Sequence, residues 1–178
     1  MTTARGGLDP NADSFGVYFD TAGNNATVYT MPVFTPYDIY LIVSNPTAAV
    51  DGFECVVTRV GAPSFVLSTD LGSGAVDDDP AADVYRVQRA TPYPVASGVI
   101  VLVHWSWMQQ AYSGMWVFVG PTVPPSLPGG LPVLRNGGAL RLGYLMSQSP
   151  DFPVACVNST CVSAEETSTF GAIKGLYR

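Results

Sequence analysis

The chain is punctuated too densely for long helices. Its 178 residues include 18 glycines and 15 prolines, and runs rich in β-branched and aromatic residues lie between them. In a helix interior Gly costs about 1 kcal/mol and Pro about 3 kcal/mol relative to Ala. Short apolar runs bounded by Pro, Gly, Asn and Asp clusters read as strands. No stretch before residue 167 supports a helix of three turns.

Pro36 opens and Asn45-Pro46 closes a strand expected over 37–43. Residues 52–60 alternate, with Phe53, Cys55, Val57 and Arg59 on one face and Glu54, Val56, Thr58 and Val60 on the other. Shorter strands are expected at 15–19, 26–31, 65–67, 84–90 and 115–119. The strongest is 99–108. There the alternation places Val99, Val101, Val103, Trp105 and Trp107 together, against Ile100, Leu102, His104, Ser106 and Met108. Both faces are apolar at its start, which predicts a central strand covered on both sides. Residues 121–132 hold five prolines and two glycines, so they read as a connection lying over the domain. Asn136-Gly137 supplies the two positive φ values of a type I′ turn, which predicts a hairpin over 133–142. Leu140, Leu142, Tyr144 and Met146 are expected to share one side of it.

About ten such strands make an all-β fold: a two-sheet antiparallel β-sandwich of the Ig-like kind, with a jelly roll as rival. One domain is expected over residues 1–166, followed by a docking tail over 167–178. In that tail Phe170, Ile173, Leu176 and Tyr177 are spaced three and four apart, and Ser168 or Thr169 caps a first turn. Gly171 and Gly175 weaken the helix, so the tail needs a surface. That surface belongs either to its own domain or to a neighbour.

Charged residues make up 12% of the chain, about half the usual quarter, while hydrophobic residues make up 47%. An exterior so poor in charge is neutral or apolar over much of its area, and large apolar patches mark contact sites. The net charge of −6 and the absence of a basic stripe argue against nucleic acid and against anionic membrane surfaces. The longest apolar run, 98–103, falls far short of the roughly 20 residues that span a bilayer. Residues 1–7 have no apolar stretch, so no secretory signal is expected within them.

The three cysteines allow a short-loop disulfide between Cys156 and Cys161, which would place the chain in an oxidising compartment and leave Cys55 as a buried free thiol. A long-range bridge from Cys55 and a fully reduced state are the alternatives. No zinc spacing is present.

Catalytic patterns are thin. His104 is the only histidine; it lies beside Trp105 in an apolar strand, without a nucleophile elbow, and reads as structural or as a rim residue. Glu54 is the one acid well inside an expected strand, so no carboxylate pair stands out. Asp77, Asp78 and Asp79 with Asp83 could hold Ca²⁺, although solvated loop acids are the simpler reading. Trp105, Trp107 and Trp116 with Tyr112 could form a sugar platform if they face outward. Asn25-Ala26-Thr27 and Asn158-Ser159-Thr160 match the N-glycosylation pattern.

These observations predict a non-catalytic structural protein without a cofactor or metal. It would be extracellular or at the cell surface, and would assemble with copies of itself into a filament or surface layer. A terminal segment, 8–20 or 170–178, would dock on or add a strand to the next subunit. The alternatives are a carbohydrate-binding module using Trp105 and Trp107, with a glycan as partner, and a viral capsid or decoration protein.

The segments Gly16-Val17-Tyr18-Phe19-Asp20, Ser44-Asn45-Pro46-Thr47 and Gly52-Phe53-Glu54, with the closing Phe170-Gly171-Ala172-Ile173-Lys174-Gly175-Leu176-Tyr177-Arg178, resemble a set of secreted bacterial proteins. Those proteins are single cohesin-like β-sandwiches with a similar closing motif, usually with Trp where this chain has Phe170. The resemblance implies a cohesin-like sandwich, export, and a binding or assembly role. It implies no chemistry.

Overall fold

The computed structural model describes residues 8–28 and 30–161, which form two β-sheets packed face to face, with no helix among them. The first sheet contains β1 (Ser14–Tyr18), β3 (Pro36–Ser44), β5 (Ser64–Asp70), β8 (Val99–Gln109) and β12 (Tyr144–Leu145). Its order is β12-β1-β3-β8-β5. The second contains β2 (Thr27–Val28), β4 (Gly52–Gly61), β6 (Ala75–Asp77), β7 (Val84–Arg89), β9 (Met115–Gly120), β10 (Val133–Asn136), β11 (Ala139–Leu142) and β13 (Ala155–Val157). Its main order is β11-β10-β4-β9-β13-β2, while β7 pairs with β4 and carries β6 outside it.

Pairing is antiparallel except at two places. β1 runs parallel to β12, with Ser14 opposite Tyr144, and β2 runs parallel to β13, with Thr27 opposite Cys156. The sheets are therefore mixed, where sequence alone predicted antiparallel pairing throughout. In both sheets an early strand is held by a late one.

The core lies between the inward faces of β8 and β4. Trp105 and Trp107 are fully buried, as are Phe53, Cys55 and Val57. The indoles pack 5.4 Å apart, and Trp105 lies 5.9 Å from the Tyr85 ring. Trp105 Nε1 donates to the Tyr85 hydroxyl at 2.8 Å, so this buried donor keeps a partner. The expected faces of 52–60 hold.

Those of 99–108 hold only in part. The register between β3 and β8 steps at Leu41/Ile42: Leu41 pairs with Val103 and Ile42 with Val101, which leaves Leu102 as an extra residue. A bulge of this kind resets the alternation. Ile100 and Leu102 are buried together with Val103, Trp105 and Trp107, while Val101 is only half-buried.

Two further expectations are corrected. Asn136 pairs with Ala139, so the hairpin turn is Gly137-Gly138, at φ 57° and 88°, one residue later than expected. Glycine supplies both left-handed positions of the type I′ turn. Beyond it the strand breaks at Gly143, whose missing Cβ would lie 2.3 Å from the Phe15 ring. Leu140 and Tyr144 are then exposed and only Met146 is buried, so no common apolar side forms.

Residues 8–20 are not free to be donated. β1 lies between β12 and β3 of its own sheet, and Leu8 fills the space beside Gly23. Residues 121–132 do cross the domain without forming a strand, as expected.

Candidate assembly surface

The polar groups that could do chemistry are engaged in holding the fold. Glu54 points out of β4 but is buried beneath 121–132. It accepts from Ser126 Oγ at 2.9 Å and from Arg86 at 3.1 Å, while Arg86 also donates to the Pro124 carbonyl at 2.6 Å. The Asp77–Asp79 run is occupied in the same way. Asp77 accepts the backbone N–H groups of Asp79 and Arg86 at 3.2 and 2.9 Å, Asp79 accepts from Arg86 Nε at 3.3 Å, and Asp78 accepts from Gln88. Asp83 is ion-paired with Arg59 at 2.7 Å. Among the described residues, no three His, Cys, Asp or Glu side chains converge on one point.

His104 lies on the outer face of the first sheet. Its Nε2 is 2.8 Å from Asp38 Oδ1, and its ring stacks on Tyr40 with centroids 4.8 Å apart. Burial first, then the Asp38 and Asp20 charges, raise the Tyr40 hydroxyl above its ordinary value, which keeps it neutral. The imidazole is half-exposed and belongs to the rim of a sheet face.

The tryptophans divide. Trp105 and Trp107 are fully buried, so the carbohydrate-binding strip built on them does not exist at the surface. Trp116 faces outward from β9. Its ring reaches over Gly61 and Gly114, and its Nε1 donates to the Thr160 carbonyl at 3.3 Å. The alternation of β9 marks this out in the sequence: Met115, Val117 and Val119 go in, while Trp116 and Phe118 face out.

Cys156 and Cys161 form a disulfide with Cα atoms 5.6 Å apart. Cys55 is free and buried; burial pushes its thiol well up, so it is inert. Asn158 is also occupied: it accepts from Met31 N at 2.6 Å and donates to Met31 O and Gln109 Oε1 at 3.1 and 3.0 Å. Asn25, in the other glycosylation triplet, is exposed. The expected docking residues Phe170, Ile173, Leu176 and Tyr177 lie outside the described residues, as does the boundary at 166/167.

The surface left available is apolar and lies at an edge. Among the described residues, β5 ends the first sheet and pairs only with β8. Its Phe65 is 50% and its Leu67 48% exposed. Phe65 stands opposite Met108, and the register slips at Val66/Ser68, which leaves Leu67 unpaired. Exposed Phe34 and Tyr112 flank the same end: Phe34 N donates to the Gln109 carbonyl, and Gln110 N donates to the Pro63 carbonyl. Sequence reasoning found the strand at 65–67 but not its position at an edge, because edge or centre depends on which strands pair.

Among the described residues, no helix is long and apolar enough to cross a membrane. Compared with known families, curated proteins and solved structures, the chain matches none.

Proposed function

We propose that the chain is a non-catalytic structural protein that assembles with copies of itself, outside the cell, as the subunit of a filament or surface layer. The observation that carries this reading is the β5 edge, which no described strand covers, with Phe65 and Leu67 directed to solvent and Phe34 and Tyr112 beside it. A long edge strand with apolar side chains is a template for pairing unless it is covered. β5 carries one charge in seven residues, Asp70 at its end, so little repulsion opposes a second copy. The disulfide suits an oxidising compartment.

The same reading makes the chain's low charge intelligible. Burial of apolar surface gives about 25 cal/mol per Å², and a standard interface buries about 800 Å² of total surface on each partner. A contact between unlike surfaces extends into a fibre when its rotation does not close into a ring.

Light scattering after size exclusion, with negative-stain microscopy, tests the reading. The wild type is expected to run as multimers. Leu67→Lys is expected to run as a monomer with an unchanged near-UV circular dichroism spectrum. A wild type that stays monomeric at high concentration would overturn it.

A further inference from the structure

Among the described residues, four buried side-chain atoms lack a hydrogen-bond partner: Tyr37 Oη, Trp107 Nε1, Gln109 Nε2 and Arg89 Nε. Arg89 stands on β7 in the second sheet, while the other three are neighbours in the first. Tyr37 pairs with Trp107 across β3 and β8, and Gln109 follows Trp107 on the same side of β8. Trp107 and Gln109 are fully buried, and Tyr37 is 8% exposed. Trp105, the preceding inward indole, has the Tyr85 hydroxyl to donate to. Buried polar groups are nearly always paired, so three side by side without partners require a reason.

All three can donate. Indole and amide nitrogens are donors only, and Gln109 keeps Nε2 free because its Oε1 accepts from Asn158 Nδ2 at 3.0 Å. Burial, partly offset by the Arg59 charge, raises the Tyr37 hydroxyl and keeps it protonated. Arg59 is also what joins this end of the core to solvent. Its guanidinium carbon lies 5.1 Å from the centre of the Trp107 ring. One terminal nitrogen donates to Ser64 Oγ at 3.2 Å, and Ser64 stands opposite Gln109. The other is 2.7 Å from half-buried Asp83. A cleft of about 430 Å³ opens there, lined by Arg59, Ser64 and Asp83 with the small residues Gly61, Ala62 and Ala82. That volume lies toward the small end of ligand sites.

We propose that this cleft, on the flank between β4 and β5, binds a small carboxylate anion. Donors and a cation surround it, so the ligand must bring acceptors and negative charge. Its oxygens accept from the Arg59 guanidinium, whose fork matches a carboxylate, and from the buried donors beside it. Asp83 holds that guanidinium in the free protein and gives way to the ligand. Binding needs no second copy, so it stands apart from the assembly reading.

The probe is sodium acetate, titrated against sodium chloride at equal ionic strength. The readouts are the Trp107 indole and Gln109 side-chain amide signals in nitrogen-correlated NMR spectra. The Leu67→Lys chain is used, so that self-association does not broaden them. Acetate is expected to move both signals saturably with one dissociation constant, and chloride to move neither. Arg59→Gln should weaken binding about tenfold, through loss of a charge-assisted contact. Tyr37→Phe should weaken it less, with the near-UV circular dichroism spectrum unchanged. Asp83→Asn should tighten it, because the competing carboxylate is gone; a guanidinium that only braces the fold would give no such gain. Shifts that chloride reproduces, or that do not saturate, would overturn the site, as would binding that Arg59→Gln leaves unchanged or Asp83→Asn weakens. Signals that ignore acetate and exchange magnetisation with long-lived internal water would overturn it too, since water alone would then serve the donors.

Discussion

Asp13 holds a left-handed backbone at φ 52°, a conformation Asp tolerates better than most residues. Its carboxylate accepts from Arg141 Nε and a terminal guanidinium nitrogen, both at 3.0 Å, from Thr47 N at 3.0 Å, and from the Thr47 hydroxyl. Burial pushes this acid up, but the hydrogen bonds from Arg141 and Thr47 outweigh it and hold the carboxyl below its usual range. A depressed carboxylate contributes stability that is present above its unfolded value of about 3.9 and is lost as pH falls through the folded value. Asp13→Asn is therefore expected to destabilise the chain by about 2 kcal/mol at pH 7. Its deficit should shrink in acid as the wild type loses the same interaction. Urea melts at neutral and acidic pH check this; an equal deficit at both would refute it. Asn158 makes a second residue-scale case. With its amide engaged on Met31 and Gln109, Asn158→Ala should cost about 2 kcal/mol. Mass spectrometry after expression in a glycosylating host should find glycan on exposed Asn25 and none on Asn158.

At the scale of the element, the disulfide loop is the clearest lever. Closing so short a loop contributes about 2 kcal/mol in the chain-entropy account. Cys161→Ser should lower the unfolding free energy by that order, and reduction of the wild type should match it, as measured by chemical denaturation with and without reductant. The elements also show where sequence reading stops. The strands at 37–43, 52–60 and 99–108 were legible because each is a long β-rich run with Gly or Pro near its ends. β6, β12 and β13 were not: two or three residues are too few to show a period, and their pairing is decided by partners distant in the sequence. The bulge at Leu102 leaves no local mark either. It became visible only when β3 supplied a register, and with it the true inward set of β8. The hairpin was found through its turn glycines, but Asn-Gly and Gly-Gly are both good type I′ pairs, and the neighbouring strands chose between them. Among candidate site residues, the Cys156–Cys161 pair was legible from spacing. Val103 shares the buried face of Trp105 and Trp107, while the bulge takes Val101 off it; the alternation of β9 sets Trp116 apart from inward Met115, Val117 and Val119.

For the whole molecule, sparse charge sets how assembly should respond to solution conditions. If copies meet through apolar surface, ammonium sulfate should favour assembly, and sodium chloride at moderate concentration should change it little. Light scattering across both salts measures this, and dissolution of assemblies by moderate sodium chloride would show that ion pairs hold them instead. The parallel pairs β1–β12 and β2–β13 carry a different consequence. Ser14 finds Tyr144, and Thr27 finds Cys156, only once residues more than a hundred positions later have been made. A nascent polypeptide halted before these late partners emerge leaves one side of β1 and of β9 without its neighbour. Ribosome-bound intermediates are therefore expected to be cut more readily near β1 and β2 until residue 157 clears the exit tunnel, which pulse proteolysis of stalled chains measures.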